Sequence, residues 1–419
     1  MREDSAATLP EGWSLVPLGQ LMKFQNGFNT DKTAYGRGLR FANVLEVITN
    51  THLSAHMIPG RVATSAAETT RYHVQRGDVL FNRTSETQEE VGLASVYLDD
   101  EPILFGGFVL RGKPTSDILD PIFAGYGLRS QIVRQQIMAA GQGGIRANIG
   151  QQSLSKIQIA LPGKSEQEAI AEALSDADAL IEGLERLIAK KRLIKQGAMQ
   201  DLLTAKRRLP GFSGEWVETT FGQCFQFLRT GSASRSQLGT NLGVGYIHYG
   251  DIHGMRSSVL DLSRTRLPEI HPLQVTTLSR VQDGDLVIAD ASEDVIDVGK
   301  SVEVRGVGSA QAVAGLHTFL LRGNPEIVAD GFKAYIQFLG DVRSGIESIA
   351  TGSSVYGISK KNLAALRFRV PPVEEQAAIG RLFADMDAEI QALETRLLKA
   401  QQVKEGMMQN LLTGQIRLV

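Results

Sequence analysis

Two stretches of this chain repeat an apolar residue every three or four positions, which is the spacing of one face of a helix. A proline precedes each stretch, and acidic residues occupy the first predicted turn, where the helix dipole favours negative charge. The pattern predicts two long helices, the first from about Glu166 to Thr204. Their predicted seam residues are Ile170, Leu174, Ala177, Ile181, Leu184 and Ile188 in the first helix and Ile379, Phe383, Met386, Ile390, Leu393, Leu397 and Ala400 in the second.

The two stretches are copies of one another. Leu161–Leu209 aligns without a gap to Val370–Leu418 at a constant offset of 209, and 21 of the 49 paired positions are identical. Both copies open on Pro-x3-Glu-Gln-x2-Ile and close on Leu-Leu-Thr. A long helix with one narrow apolar face is unstable alone and needs a partner of similar length. We therefore expect the two helices to pack side by side as a rigid spacer.

The block in front of each predicted helix has a different pattern, with short runs of β-forming residues between glycine-rich turns. Examples are Gly38–Leu45, Arg76–Phe81, Gly245–Ile252, Asp283–Ile288 and His317–Arg322. These signals predict mixed α/β domains dominated by a curved, mostly antiparallel sheet. The predicted boundaries are 1–8 for an N-terminal tail, 9–160 for the first variable domain, 161–208 for the central helix, 209–369 for the second variable domain and 370–419 for the C-terminal helix.

Composition is that of an ordinary globular protein. The chain has 419 residues, 42% hydrophobic and 21% charged, with a mean hydropathy of −0.08. No apolar run approaches the ~20 residues needed to span a bilayer, and the polar start lacks the parts of a signal peptide. The single cysteine, Cys224, excludes an internal disulfide and a Cys-based metal cluster. We expect a cytoplasmic protein without membrane contact.

Charge is nearly balanced in each variable domain. Leu9–Ala160 has 14 basic and 13 acidic residues, and Pro210–Arg369 has 15 and 16. This balance argues against a general polyanion binder. It leaves room for a site-specific DNA reader whose basic residues cluster locally, or one that shares the DNA with a partner.

Motifs for catalysis or metal binding are incomplete. Gly299-Lys-Ser301 resembles the end of a phosphate loop, but Asp294 stands where the loop needs glycine. His248, His253 and His271 lack metal-ligand spacing. The acidic run around Glu293 and Asp297 is read as a solvated turn. The Asn/Asp-Pro-Pro-aromatic motif of amino-methylating enzymes is missing. We predict no catalytic residues and no metal site in this chain.

The duplicated Pro-x3-Glu-Gln-x2-Ile opening, the apolar-striped helix and the Leu-Leu-Thr close, placed around two divergent domains, resemble the specificity subunit of type I restriction-modification systems. Gly77-Asp-Val-Leu80, Gly284-Asp-Leu-Val287 and Tyr249-Gly-Asp-Ile252 support the resemblance. It implies an α+β fold, in which two β-rich target-recognition domains are separated by two long helices. Those helices would pack as an antiparallel coiled coil with internal pseudo-twofold symmetry.

The resemblance also implies a function. Each variable domain would read one half of a bipartite target in double-stranded DNA, and the helices would set the gap between the halves. The helices would dock two methylation subunits that carry S-adenosylmethionine and methylate adenine N6. Two restriction subunits would add cleavage driven by ATP and magnesium. This chain would hold no cofactor itself.

Residues that read bases must be exposed and polar, because the apolar strand residues are needed for the core. We favour turns that follow strands, together with the glycine-rich loops. The candidates are Lys32, Arg37, Asn82, Arg83, Thr84, Ser85, Gln88 and Arg146 in the first domain and Arg235, Tyr249, His253, Arg256, Ser292, Lys300, Tyr356 and Lys360 in the second.

Two other classes of function stay open on the sequence alone. One is a scaffold or adaptor, in which the helical pair joins proteins and the variable domains bind peptides or proteins. The other is an active nuclease or methyltransferase, which the missing motifs disfavour. Outside the apolar stripe, Lys190 and Lys399 occupy matched positions and are predicted to face a methylation subunit.

Overall fold

The structure, a computed structural model, describes residues 9–141 and 146–418. The predicted tail, residues 1–8, lies outside the described residues. The chain divides into two compact units: the described part of Met1–Glu185 with Thr395–Val419 forms unit 1, and Arg186–Glu394 forms unit 2. Each long helix contributes its two ends to different units, so the division does not follow the order of the chain.

Unit 1 begins with a β-rich domain. Its strands are β1 (Ser14–Pro17), β2 (Met22–Asn26), β3 (Tyr35–Ala42), β4 (His52–Leu53), β5 (Arg61–Val62), β6 (Val79–Asn82), β7 (Thr84–Ser85), β8 (Ala94–Tyr97), β9 (Leu104–Phe105), β10 (Val109–Pro114), β11 (Ala147–Asn148) and β12 (Gln158–Leu161). Its helices are α1 (Leu18–Leu21), α2 (Val44–Thr49), α3 (Ala66–Tyr72), α4 (Pro121–Gly127), α5 (Gln131–Ala140), α6 (Gln151–Lys156) and the first part of α7 (Lys164–Leu202).

Unit 2 repeats this arrangement. Its strands are β13 (Val217–Thr220), β14 (Phe225–Leu228), β15 (Val244–Ile247), β16 (Val259–Asp261), β17 (Glu269–Ile270), β18 (Leu286–Ala289), β19 (Ala291–Ser292), β20 (Ser301–Arg305), β21 (Ala312–Ala314), β22 (Thr318–Gly323), β23 (Tyr356–Gly357) and β24 (Arg367–Val370). Its helices are α8 (Phe221–Cys224), α9 (Tyr249–Gly254), α10 (Gly340–Ile349), α11 (Lys360–Ala365) and the first part of α12 (Val373–Leu411), and a 3-10 helix spans Lys333–Phe338.

Strand order is the same in the two units. A five-stranded sheet runs β2-β10-β6-β8-β4 in unit 1 and β14-β22-β18-β20-β16 in unit 2. Each unit adds a three-stranded sheet, β5-β3-β9 or β17-β15-β21, and two two-stranded sheets. Within each five-stranded sheet only the last pair, β8-β4 or β20-β16, is parallel. The predicted α+β class and mostly antiparallel pairing are therefore confirmed, with the strands divided among several sheets.

Two predicted strand runs end earlier than expected. In Gly38–Leu45 the strand stops at Ala42, and in Gly245–Ile252 it stops at Ile247. Each run continues as a short helix, α2 or α9, that starts with a capping box. Reciprocal hydrogen bonds between the N-cap and the third helical residue satisfy backbone N–H groups that a strand would have left for a neighbour. The polar capping residues, and not the β-forming residues around them, therefore determine the secondary structure here.

The long helices extend over Lys164–Leu202 and Val373–Leu411, and the first lies within two residues of its predicted bounds. In unit 1, Lys404 bonds to Asp178, and in unit 2 Lys195 bonds to Asp387. Lys191 lies 2.6 Å from Glu389 in unit 2. The start of one helix thus lies beside the end of the other in each unit, so the two helices are antiparallel, as predicted.

Four of the predicted seam residues have a second role. Ile170 and Leu174 are fully buried in a core that includes Phe123 and Tyr126 of α4 as well as Leu411 of α12. Ile379 and Phe383 lie in the corresponding core of unit 2. The first turns of each helix therefore belong to a domain core and not to a helix seam alone. Among the other seam residues, Leu184, Ile188 and Ile390 are buried, whereas Ala177, Ile181, Met386, Leu393, Leu397 and Ala400 are half-buried.

A buried glutamine joins each domain to its helix. The Gln167 amide donates to the carbonyls of Ile118 and Pro162, 3.0 Å each, and accepts from the Asp120 N–H at 2.8 Å. Gln376 makes the same three contacts in unit 2, with the equivalent residues of the duplication. Both side chains are almost completely inaccessible to solvent. Satisfied buried polar groups fix one geometry, because any other leaves donors and acceptors without partners.

The preceding glutamate binds the segment that follows the other helix. Glu166 accepts from Arg417 at 2.5 and 2.8 Å and from the Trp13 indole at 3.1 Å. The equivalent Glu375 accepts from Arg208. The bond from Arg417 is the main reason that the pKa of Glu166 is below its usual range.

Gln376→Ala is expected to lower the free energy of unfolding of the protein by about 3 kcal/mol, because it leaves three buried backbone groups unpaired. Thermal denaturation measures the effect. The control is Gln196→Ala, an exposed glutamine of α7, which is expected to change stability by less than about 0.5 kcal/mol. Equal melting temperatures for the two variants would contradict the joining role of the buried amide.

Glu166→Gln is expected to cost about 2 kcal/mol at pH 7, since it removes a charge-assisted bond to Arg417. A carboxylate whose pKa is lower in the folded than in the unfolded protein stabilises the fold at pH values above its unfolded-state pKa. This stabilisation is lost as the pH falls through the folded-state pKa. The melting-temperature gap between wild type and variant should therefore shrink below about pH 4.3. Glu168→Gln, at an exposed neighbouring position, is the control, and a gap independent of pH would disprove this reasoning.

Candidate nucleic-acid interface

In unit 1, Arg83 lies between the central strand β6 and the short strand β7. Its N–H donates to the Phe108 carbonyl at 2.8 Å, and its carbonyl accepts from the Ile149 N–H at 3.0 Å. Three loops therefore meet at Arg83. Its side chain is half-buried, and within the described residues no hydrogen bond or ion pair engages the guanidinium. A free guanidinium offers a fork of donors for recognition of a base or a phosphate.

Unit 2 joins the same three loops by the same backbone hydrogen bonds, but with different residues. We call this set of joined loops the frame. Asp290 lies between β18 and β19, donates its N–H to the His317 carbonyl at 3.1 Å and accepts from the Ile358 N–H at 2.9 Å. Strand β19 pairs with β23 as β7 pairs with β11. Arg83 and Asp290 thus occupy equivalent backbone positions, and so do Phe108 and His317. The backbone hydrogen bonds are kept while the side chains change charge and shape.

A third segment completes the frame. The Gly106 N–H donates to the Ala42 carbonyl at 3.0 Å, and the Gly315 N–H donates to the Ile247 carbonyl at 2.9 Å. The next residues begin α2 and α9 in capping boxes. This equivalence defines four frame positions. They are occupied by Val44, Ile48, Arg83 and Phe108 in unit 1 and by Tyr249, His253, Asp290 and His317 in unit 2.

The frame positions of unit 2 form one polar aromatic cluster. His317 Nδ1 lies 3.1 Å from Asp290 Oδ1. The Tyr249 ring meets His317 and His253 edge to face, with centroids 5.4 and 5.9 Å apart. Burial raises the pKa of Asp290, and the neighbouring His317 opposes that shift. In unit 1 the same positions combine apolar side chains with one arginine, so the two surfaces suit different ligands.

The candidate residues of the first domain have two kinds of environment. Lys32, Arg37, Gln88 and Arg146 are exposed, and Arg146 lies 3.5 Å from Glu86. The Thr84 hydroxyl donates to Asn148 at 2.6 Å. For Asn82 and Ser85 the expected exposure was wrong. Asn82 is inaccessible and donates to the Glu90 carbonyl at 3.0 Å, and buried Ser85 donates to the Glu90 carboxylate at 2.7 Å. Both stabilise the loop that precedes β8 and face inward.

Several candidates of the second domain already have partners. Arg235 donates both amino groups to Asp251, at 3.0 and 2.7 Å, and this contact raises its pKa. Lys300 donates to the His253 carbonyl at 2.8 Å. Ser292 is buried and accepts from the Asp294 N–H at 3.1 Å, so its expected exposure was wrong. It closes a turn.

The other candidates of the second domain are more accessible. Arg256 and Lys360 are exposed, and Tyr356 and Tyr249 are half-buried. The ammonium of Lys360 lies 5.3 Å from the centre of the Phe227 ring. Base contact by these residues stays a prediction.

Sequence reasoning missed Phe108, a residue that is 59% exposed, and His317, whose side chain is 50% exposed. They are related by the same offset as the duplicated helices, and each lies directly before the strand that pairs with the central strand. Alignment of the two halves of the sequence therefore pairs these two residues. A comparison of aligned turn positions for the largest difference in side-chain chemistry could have identified them.

The described residues contain no group of three or more His, Cys, Asp or Glu side chains that could hold a metal ion. This includes the histidines around Tyr249. Across 9–141 and 146–418, no helix is long and apolar enough to cross a membrane.

Comparisons with known proteins cover the first part of the chain in one case and nearly all of it in the others. Residues 10–190 match the sequence model of the type I restriction modification DNA specificity domain. A Methanocaldococcus jannaschii protein assigned as the MjaX type I restriction enzyme specificity subunit is 24% identical over 98% of this chain and 95% of its own length. The EcoKI specificity subunit of Escherichia coli is 23% identical over 99% of this chain and 90% of its own length.

A solved structure shares the fold. The crystal structure of the type I restriction-modification S subunit from M. genitalium has a TM-score of 0.57 to this chain at 16% identity, covering 98% of each chain. At that identity the likeness concerns the fold alone.

Proposed function

We propose that this protein, a specificity subunit of the type I restriction-modification family, reads a bipartite sequence in double-stranded DNA, one half with each unit. The observation that carries the proposal is the shared frame, whose four positions hold unlike side chains in the two units. Sequence is read by side chains that contact base edges, while contacts to phosphate set the register. A frame that keeps its backbone bonds and exchanges its exposed groups suits two readers of unlike half-sites.

Linking two DNA-reading domains in one chain strengthens the binding of each to its half-site. Once one half-site is bound, the second contact becomes intramolecular, so two modest affinities combine into a strong one. We propose that the antiparallel helices set the unspecified gap between the half-sites, since two readers fit a duplex together only at certain rotations of its ~10-bp turn. Each helix continues without interruption for 39 residues, which supports a stiff connection.

The helices also carry a duplicated surface. On α7, Lys190 and Ile194 are exposed and four residues apart, so they lie on one helix face. On α12, Lys399 and Val403 repeat this pair at the same offset. Ile194 is 47% exposed and Val403 51%. A repeated surface that combines an apolar and a basic side chain supports the docking of two copies of one partner, which we propose are two methylation subunits.

Catalysis is assigned to the partners. The methylation subunits would bring S-adenosylmethionine for adenine N6 methylation, and two restriction subunits would bring ATP and magnesium. The direct test is sequencing of methylated bases in cells with and without this protein. A split adenine-methylated motif should disappear with the gene, and an unchanged methylation pattern would contradict the function.

Arg83→Ala is expected to relax recognition of one half-site. Loss of a guanidinium contact to a base removes about 1–3 kcal/mol of discrimination at one base pair, while the other half-site stays intact. The measurement is the methylated motif, together with competition binding by the assembled complex. Lys156→Ala, an exposed lysine on α6, is the control, and the same motif in both variants would remove Arg83 from the interface.

Combined Lys190→Glu and Lys399→Glu is expected to weaken assembly with the methylation subunits at least tenfold, because it reverses the charge at both proposed docking surfaces. Neither lysine has an ion pair within the described residues, so the change breaks no ion pair there. Co-purification and titration measure the loss, and Lys206→Glu, exposed beyond the end of α7, is the control. Assembly equal to that of the control would rule out these surfaces.

A further inference from the structure

His317 has a backbone conformation that few residues other than glycine adopt. Its φ is +53°, in the left-handed region where a Cβ atom is crowded. Among the described residues only Ala205 and Asn241 share this feature without being glycine. Phe108, at the equivalent frame position of unit 1, does not. The turn can therefore be built without this strain, and glycine would fit here more easily than histidine.

The strained residue is held by contacts on two sides. Its carbonyl accepts from the Asp290 N–H, and its ring Nδ1 lies 3.1 Å from the Asp290 carboxylate. The Tyr249 ring packs edge to face against the imidazole, and the Tyr249 N–H points to the Leu316 carbonyl at 3.4 Å. Strain that neighbouring groups maintain at a surface turn is characteristic of functional sites. The ring has little core role, since half of the side chain is exposed.

Asp290 determines which hydrogen-bonding groups the ring offers. An ionised carboxylate only accepts, so the bond between them places the proton of neutral imidazole on Nδ1. The other ring nitrogen, Nε2, then carries a lone pair and acts as an acceptor. In the DNA major groove, adenine N6 and cytosine N4 present amine donors, whereas guanine presents acceptors at N7 and O6. An acceptor in this position therefore distinguishes the amine-bearing bases.

We propose that His317 contacts a base in the half-site read by unit 2, with Asp290 as its positioning residue, and that the base is adenine or cytosine. This assignment rests on the proposed function. It gives unit 2 a recognition chemistry unlike that of Arg83 and Phe108 in unit 1, where a guanidinium donor suits guanine and an aromatic side chain suits the thymine methyl group.

The test uses the assembled complex with its methylation subunits and His317→Gly. Glycine adopts the left-handed φ of this turn freely, so the variant should fold at least as well as wild type. Competition binding is measured on duplexes in which each target base pair is replaced in turn by the other three. We expect the preference at one base pair of one half-site to fall by about tenfold or more, with every other position unchanged.

The matched control is Ala205→Gly, which relieves the same strain elsewhere in unit 2 and should leave all preferences unchanged. Asp290→Asn keeps the shape of the positioning residue but can either donate or accept, so the tautomer is no longer fixed. We expect this variant to begin to accept guanine at the same base pair. That readout is a change of preference, which a merely structural role would not produce.

The outcomes separate the two ideas. Wild-type complex without any split preference would contradict the proposed function itself. A wild-type split preference that His317→Gly leaves intact at all positions would overturn the assignment of His317. If His317→Gly impairs assembly, the Asp290→Asn complex alone tests the inference. Base preferences equal to those of wild type in that variant would overturn the inference.

Discussion

The geometry of this protein depends on buried polar groups at the first turn of each long helix. A narrow apolar stripe lets a helix rotate or slide against a domain core at little cost, because apolar contacts are not directional. The amides of Gln167 and Gln376 remove that freedom, since each bonds to two backbone groups of its domain and to the carbonyl of the proline in front of the helix. Breaking either arrangement would leave buried groups unpaired. A domain that must present a surface at a defined orientation needs such a directional joint.

The same division between fixed and variable parts recurs inside each domain. Backbone hydrogen bonds join the same three loops around Arg83 and around Asp290, although the side chains at those two positions differ. Side chains there are consequently free to change without loss of the frame, as the replacement of arginine by aspartate between the units illustrates. Under the proposed function, recognition and stability would depend on different atoms, which would allow one fold to read two half-sites.

The sequence predicted the long helices, their pairing and the fold class because a repeated apolar period is a strong, local signal. It misjudged the strand runs that end at Ala42 and Ile247, where capping residues decide the outcome. It also placed Asn82, Ser85 and Ser292 on the surface. These three polar residues lie where base-contacting residues were expected, but their side chains form hydrogen bonds to the adjoining loops instead. Burial of a short polar side chain depends on how loops far apart in sequence meet, which no local pattern contains.

Charge balance limits how the proposed complex can bind DNA. Non-specific affinity for DNA comes largely from neutralised phosphates, and neither variable domain has the surplus of lysine and arginine that this requires. Of the exposed cations, Arg235 is also committed to Asp251. This chain therefore fits a role in which its side chains discriminate among bases while partner subunits supply most of the phosphate contacts. Specificity and affinity would then reside in different chains, and the salt dependence of binding would be governed by the partners.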